Sequence, residues 1–275
     1  MNKRLIIAGI ILATITVAAL AYHLVDNRDQ GGMALSGNVE VTEVNVAFKI
    51  PGRVTTLFSD EGRQVRAGDK IALLDNAEYI TQVAQSRAVL DNSKAQLEKA
   101  KNDYARTEML FKKEVMSAQQ MDAAKTAYDV ALAQIQQSSA QLRTSEVRLR
   151  DAVLYAPVSG VVLRKNVEAG ETVPAGTPIF TIGDLENPWI KVYVKEDKLG
   201  LVKLGQIAEV RVDSYPAKKY AGEVTYISSE AEFTPKNVQT QEERVKLVFG
   251  VKVKVQNQNN ELKPGMPADV RILLK

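Results

Sequence analysis

The sequence predicts an elongated, multi-domain α+β protein: a small β-domain split by a long helical hairpin, followed by an antiparallel β-barrel. Three observations predict it. A pattern of glycines and apolar residues recurs at an offset of 108. The stretch between the two copies, 78–150, has neither glycine nor proline and carries a period of seven. After Trp189, short alternating runs are separated by turn residues, as in small antiparallel barrels.

The N-terminus comes first in the chain. Residues 1–4 carry Lys3 and Arg4, and 5–25 have no charge at neutral pH. At ~1.5 Å per residue such a run spans a ~30 Å hydrocarbon core, and the preceding positive pair stays cytoplasmic. Residues 5–25 are therefore a transmembrane anchor, or a cleaved signal with Ala19-Leu20-Ala21 as its processing site. Either way the body is exported. Residues 26–43 read as a linker leading into that body.

The first copy of the repeat, 44–75, carries Gly52, Gly62 and Gly68; the second, 151–184, carries Gly160, Gly170 and Gly176. Val54 matches Val162, Val65 matches Val173, Ile71 matches Ile179 and Leu74 matches Ile182. Glycines at recurring positions supply positive φ for tight turns, while alternating aliphatics face a shared core. Each copy, at about 30 residues, is too small to bury a core alone, so the two are expected to pack face to face as a sandwich.

Residues 76–150 form the insert. Val83, Leu90, Leu97, Tyr104 and Phe111 make one heptad row; Met121, Tyr128, Ile135, Leu142 and Leu149 make another. A sustained period of seven predicts an antiparallel coiled-coil hairpin. Its arms, each about 36 residues, would be ~54 Å long. Arg87, Lys94, Lys101 and Glu108 are read as the alternate, polar seam positions. Ser117-Ala118-Gln119-Gln120 is an S-x-x-Q capping box that starts the second helix.

Residues 185–275 form the barrel, with strands expected near 189–194, 208–212, 222–227, 245–255 and 268–274. Phe233 to Arg244, with Pro235, reads as a long connection.

Composition excludes much chemistry. The chain has 36 basic and 33 acidic residues, no cysteine and a single histidine, His23, inside the apolar run. Disulfides, Cys/His zinc sites and a thiol nucleophile are therefore ruled out, as is a lipoprotein anchor. The near-balanced charge does not suit nucleic-acid binding by counterion release. Asp213 and Ser214 lack a histidine base, and no G-x-x-x-x-G-K-[ST] loop occurs. No enzymatic role and no cofactor is expected.

The order of membrane segment, half-sandwich, hairpin, half-sandwich and barrel resembles the HlyD-type periplasmic adaptors, or membrane fusion proteins, of tripartite efflux and secretion systems. The repeat looks like two halves of a lipoyl-like (barrel-sandwich hybrid) domain. The run from Phe233 to Arg244, followed by Leu262-Lys263-Pro264-Gly265-Met266-Pro267, is most similar to the subgroup serving ABC-type exporters. The resemblance implies a periplasmic protein held in the inner membrane by its N-terminus and assembled with itself, as a hexamer. Its partners would be an inner-membrane exporter and a TolC-like outer-membrane channel. Arg106, Leu110 and Ser117, spaced R-x3-L-x6-S around the hairpin turn, match the motif by which such adaptors are proposed to dock that channel. The assumed register places Arg106 and Leu110 together on the outer face. The alternatives are an adaptor of an RND or MFS pump, or a lipoyl or biotin carrier subunit. Against the carrier stands the missing Met-Lys-Met-like tripeptide.

Overall fold

The computed structural model describes residues 32–233, 247–257 and 259–274. The apolar run 5–25 and the expected connection from 234 to 244 lie outside the described residues. Among the described residues, no helix is long and apolar enough to cross a membrane. After β1 (Gly32–Glu40), the chain divides into a unit spanning Glu43–Gly183 and a second unit built from the residues on either side of it.

The first unit holds eight short strands. From the first repeat copy come β2 (Glu43–Ala47), β3 (Gly52–Leu57), β4 (Gln64–Val65) and β5 (Lys70–Leu74). From the second come β6 (Val153–Tyr155), β7 (Gly160–Lys165), β8 (Thr172–Val173) and β9 (Pro178–Gly183). They form two four-stranded sheets, β2-β9-β7-β4 and β6-β5-β3-β8. This corrects the expectation of one copy facing the other, because each sheet contains strands of both. The two-residue strands β4 and β8 find no place in their own copy's ladder, so each crosses over. Gln64 and Val65 pair with Val161 and Gly160, and Thr172 and Val173 pair with Arg53 and Gly52.

The offset of 108 is thus a pseudo-two-fold relation written in hydrogen bonds. The amide of Gly62 donates to Val162 O at 2.8 Å, and that of Gly170 to Val54 O at 2.7 Å. Gly68 N–H donates to Ala156 O, and Gly176 N–H to Phe48 O. All four glycines have φ between 76° and 99°, where a Cβ is strained. The matched aliphatics Val54, Val162, Val65, Val173, Ile71, Ile179, Leu74 and Ile182 are all buried in one core.

Between β5 and β6 stand α1 (Ala77–Phe111) and α2 (Ala118–Asp151). At ~1.5 Å per residue they are ~52 Å long. They run antiparallel: Ser86 Oγ lies 2.8 Å from Ser145 Oγ, and Tyr104 stacks on Tyr128 at 5.7 Å. The large heptad rows from Val83 to Tyr104 and from Met121 to Leu149 are half-buried. The alternate seam row is not Arg87, Lys94 and Lys101, which are exposed, but lies one residue earlier: Ser86, Ser93, Ala100 and Thr107. Ser86 and Ser93 are the buried residues of α1, and Ser138 and Ser145 those of α2. Small side chains let the helices approach closely, and the serine hydroxyls are satisfied by each other or by carbonyls such as Val89 O and Gln134 O. A side row that buries large charged groups would pay their desolvation, so serine and alanine are preferred there.

At the root of the hairpin, Arg53 Nη2 lies 2.9 Å from Asp75 Oδ2, and Tyr79 Oη donates to Pro51 O at 2.7 Å.

The second unit is a closed six-stranded barrel in the order β1-β10-β13-β12-β11-β14. Its later strands are β10 (Trp189–Lys195), β11 (Ile207–Val212), β12 (Tyr220–Phe233), β13 (Leu247–Val255) and β14 (Pro267–Leu273), with the short helix α3 (Glu196–Leu199) after β10. The linker assignment for 26–43 is corrected here, because residues 32–40 are a barrel strand. β1 pairs antiparallel with both β10 and β14, so the cylinder closes through it. Met33 and Val39 enter the core. Gly37 is needed at the β1–β10 contact, where a Cβ would collide with the Lys191 carbonyl oxygen. The indole N–H of Trp189 donates to Glu40 Oε2 at 3.2 Å, fixing the register at this end. Buried Asn257 bonds Leu185 O, Leu262 O and Leu262 N, tying the loop before β14 to the segment before β10.

Candidate functional site: the hairpin tip

The sequence places its candidate recognition residues at the hairpin turn. α1 ends where the Lys112 amide donates to Glu108 O at 3.0 Å. The Leu110 carbonyl then accepts from both Lys113 N and Val115 N, at 3.2 and 3.0 Å. No glycine is available in this stretch, so Glu114 takes the left-handed turn position at φ 62°.

Ser117 caps α2 as the sequence predicts. The Gln120 amide donates to Ser117 Oγ at 3.3 Å, and the Ser117 amide donates to Gln120 Oε1 at 2.9 Å. This reciprocal box satisfies two donors that a helix start otherwise leaves without partners.

Arg106 is open to solvent, its guanidinium 4.0 Å from Asp103, a separation that contributes little. Leu110 is half-buried, which corrects its assignment to the outer face beside Arg106. The cause is the seam. With Ser86, Ser93, Ala100 and Thr107 as the second row, Leu110 flanks the packed face and Arg106 stays outside. Phe111 is corrected too. It continues the large row in sequence, yet it is 41% exposed at the end of α1.

The tip shows an apolar surface that the spacing motif does not name. Met109, Phe111 and Val115 are 60%, 41% and 67% exposed. Lys112 pairs with Glu108 across one helical turn at 3.0 Å. The signal for these residues was present in the sequence as the apolar cluster Met109-Leu110-Phe111 followed by Val115 and Met116, in a turn where solvent-facing residues are ordinarily polar. Chemically, the tip exposes aliphatic and aromatic side chains on the same helix end that carries an exposed guanidinium. Among the described residues no cluster of three or more His, Asp or Glu side chains is placed to hold a metal.

Residues 42–184 match the family profile described as the CzcB-like barrel-sandwich hybrid domain, and residues 188–274 match the CusB-like beta-barrel domain. The first match covers more than half of the chain and coincides with the unit Glu43–Gly183. The chain belongs to the membrane fusion protein, or periplasmic adaptor, family. A UPF0194 membrane protein of Yersinia pseudotuberculosis is similar to this adaptor at 29% identity, over 98% of each chain. MacA from Actinobacillus actinomycetemcomitans shares the fold at TM-score 0.76 and 22% identity, covering 89% of this chain and 78% of that one. The membrane fusion protein Spr0693 from Streptococcus pneumoniae does so at TM-score 0.70 and 19% identity, covering 88% and 99%. The barrel profile starts at residue 188 and so omits β1, the strand the adaptor contributes from before its sandwich.

Proposed function

We propose that this membrane fusion protein is the periplasmic adaptor of a tripartite efflux system, bridging an inner-membrane exporter of the ABC type to a TolC-like outer-membrane channel. It is held in the inner membrane by residues 5–25, and its hairpin meets the channel through Arg106, Leu110 and Ser117. Copies assemble side by side as a hexamer, so that lateral packing supplements the thin, small-residue seam that holds each hairpin together. The chain is not an enzyme; it transmits conformational change between a pump and a duct.

The observation that carries this reading is the tip. Exposed Arg106, half-buried Leu110 and the exposed side chains of Met109, Phe111 and Val115 all belong to the end of α1 and to a turn locked by the Ser117 capping box. Exposed apolar side chains gathered at one end of a hairpin suit protein contact, and arginine is enriched in such contacts. The ABC assignment is supported by the segment Leu262–Pro267, whose sequence resembles the subgroup serving ABC-type exporters. The CusB-like description of the barrel favours the second reading, a pump of the RND class.

The test is export in a strain lacking its own copy of this adaptor. Leu110→Ser and Arg106→Asp are expected to reduce drug resistance to the level of the deletion strain at unchanged expression. Unchanged resistance with normal expression contradicts channel docking at the tip.

A further inference from the structure

One rim of the barrel presents aliphatic side chains to solvent on a rigid support. Leu201, Leu204 and Ile207 are 52%, 65% and 62% exposed, and Leu201 and Leu204 line a shallow groove together with Leu274. Their exposure is built in. The Lys203 amide donates to Gln206 Oε1 at 2.8 Å, and Gln206 Nε2 donates to Leu201 O at 3.1 Å. The Gly205 amide donates to Val224 O, with Gly205 at φ 80°. Val202, between the two leucines, is buried in the barrel core. The turn therefore drives one side chain inward and holds its neighbours out.

This rim is also where the chain enters the barrel. Gly32, the first residue of β1, pairs with Leu273, and Ile272 pairs with Ala208, so the start of β1, the end of β14 and the start of β11 lie side by side. Only residues 26–31 separate the apolar run from Gly32. Six residues reach at most about 22 Å even when fully extended. If residues 5–25 cross the membrane, this rim is tethered within that distance of the bilayer surface, whereas the opposite rim, at residues 213–219, is not.

We propose that the Leu201/Leu204/Ile207 rim is a bilayer-contact surface, seating the barrel on the headgroup–acyl boundary of the membrane that holds its N-terminus. The inference rests on the anchoring of residues 5–25 proposed above. Three aliphatic side chains suit that boundary, and Lys195, Lys198 and Lys203 beside them can extend to phosphates while their stems stay apolar. Glu196 and Asp197 lie among these lysines, so the contact depends on apolar burial and is insensitive to salt. Its consequence for the adaptor is a fixed height of the barrel above the membrane.

The absence of cysteine permits a clean test. Single-cysteine variants Leu12→Cys, Leu204→Cys and Ala217→Cys of the full chain, carrying an environment-sensitive fluorophore, are reconstituted into phosphatidylethanolamine–phosphatidylglycerol vesicles. Lipids spin-labelled near the headgroup should quench the probe at 204 about twofold, as for a side chain ~5–10 Å into the boundary, and leave the probe at 217 unchanged. Quenching at 12 by lipids spin-labelled deep in the acyl chain, without headgroup quenching at 204, overturns the rim contact while leaving the anchor intact. No quenching at either position by either lipid overturns both. Shielding of the probe at 204 from aqueous iodide only when the exporter is added to the vesicles would mean a protein partner, and this result overturns the proposal.

Discussion

The hydroxyls of Ser86 and Ser145 lie 2.8 Å apart in the seam between α1 and α2, where the two helices pack through their smallest side chains. Size, rather than this hydrogen bond, should control hairpin stability. Ser145 also donates to Gln141 O at 3.2 Å, so Ser86→Ala orphans no group and should cost no more than about 1 kcal/mol. Ser86→Leu forces extra volume into the closest approach and should cost about 1–3 kcal/mol. Thermal unfolding followed by circular dichroism distinguishes the two, and equal losses would contradict the packing account.

The repeat predicts which glycine substitutions behave alike. Nothing lies within 4 Å of a Cβ added at Gly62 or Gly170, so the cost of alanine there is purely the left-handed backbone, about 1–2 kcal/mol each. The two variants should match within measurement error. Gly52 and Gly160 are also partners at the offset of 108, yet they should differ. A Cβ at Gly52 meets only the flexible end of Leu74 at 3.1 Å, whereas one at Gly160 lies 2.5 Å from the Gly183 carbonyl oxygen. Denaturant titration should show Gly160→Ala as clearly the more damaging of that pair.

Barrel closure through β1 makes a prediction about fragments. Residues 184–275 alone lack the strand that joins β10 to β14 and should expose two unpaired edges, which promotes aggregation. Because Gly32 pairs with Leu273, appending residues 32–42 after the last strand through a short glycine-rich turn should restore a soluble, cooperatively melting barrel. Gel filtration and thermal melts of the two fragments provide the check.

Asp75 provides a pH-dependent contact at the hairpin root. Its hydrogen bond from Arg53, and then that from the Ala77 amide, hold its carboxyl below the ordinary aspartate value of 3.8. The folded value lies below the unfolded one, so the contribution is complete above the ordinary value and disappears as pH falls through the lowered one. An NMR titration of the Asp75 carboxyl should show the depressed midpoint, and Arg53→Ala should move it back up.

Much of this architecture was legible because it is written in spacing. The glycines at 62, 68, 170 and 176 return at one offset because each turn must be made twice, those at 52 and 160 open the matching strands β3 and β7, and the Ser117 box is a local signal that needs no tertiary context. What the sequence concealed were choices made across long separations. The crossing of β4 and β8 into the opposite copy has no local signature in two-residue strands. β1 pairs with strands far away along the chain, Glu40 with Trp189 and Gly32 with Leu273, and its glycines at 32 and 37 disguise a strand whose Met33 and Val39 face the core. The serine row of the hairpin was missed because heptad reading favours large apolar residues, whereas the closest helix approach selects small ones. That one-residue error in the second row also moved Leu110 from the flank of the seam to its outer face.

The central claim is that the hairpin tip meets an outer-membrane channel while the barrel unit meets an inner-membrane exporter. Photo-crosslinking in living cells from position 110 and from the exposed barrel residue Tyr226, which lies outside the Leu201/Leu204/Ile207 rim, with the captured proteins identified by mass spectrometry, tests it most directly. The account predicts a TolC-like channel from position 110 and an exporter subunit but no channel from position 226. Capture of only further copies of this chain from position 110, in cells where export is active, would contradict it.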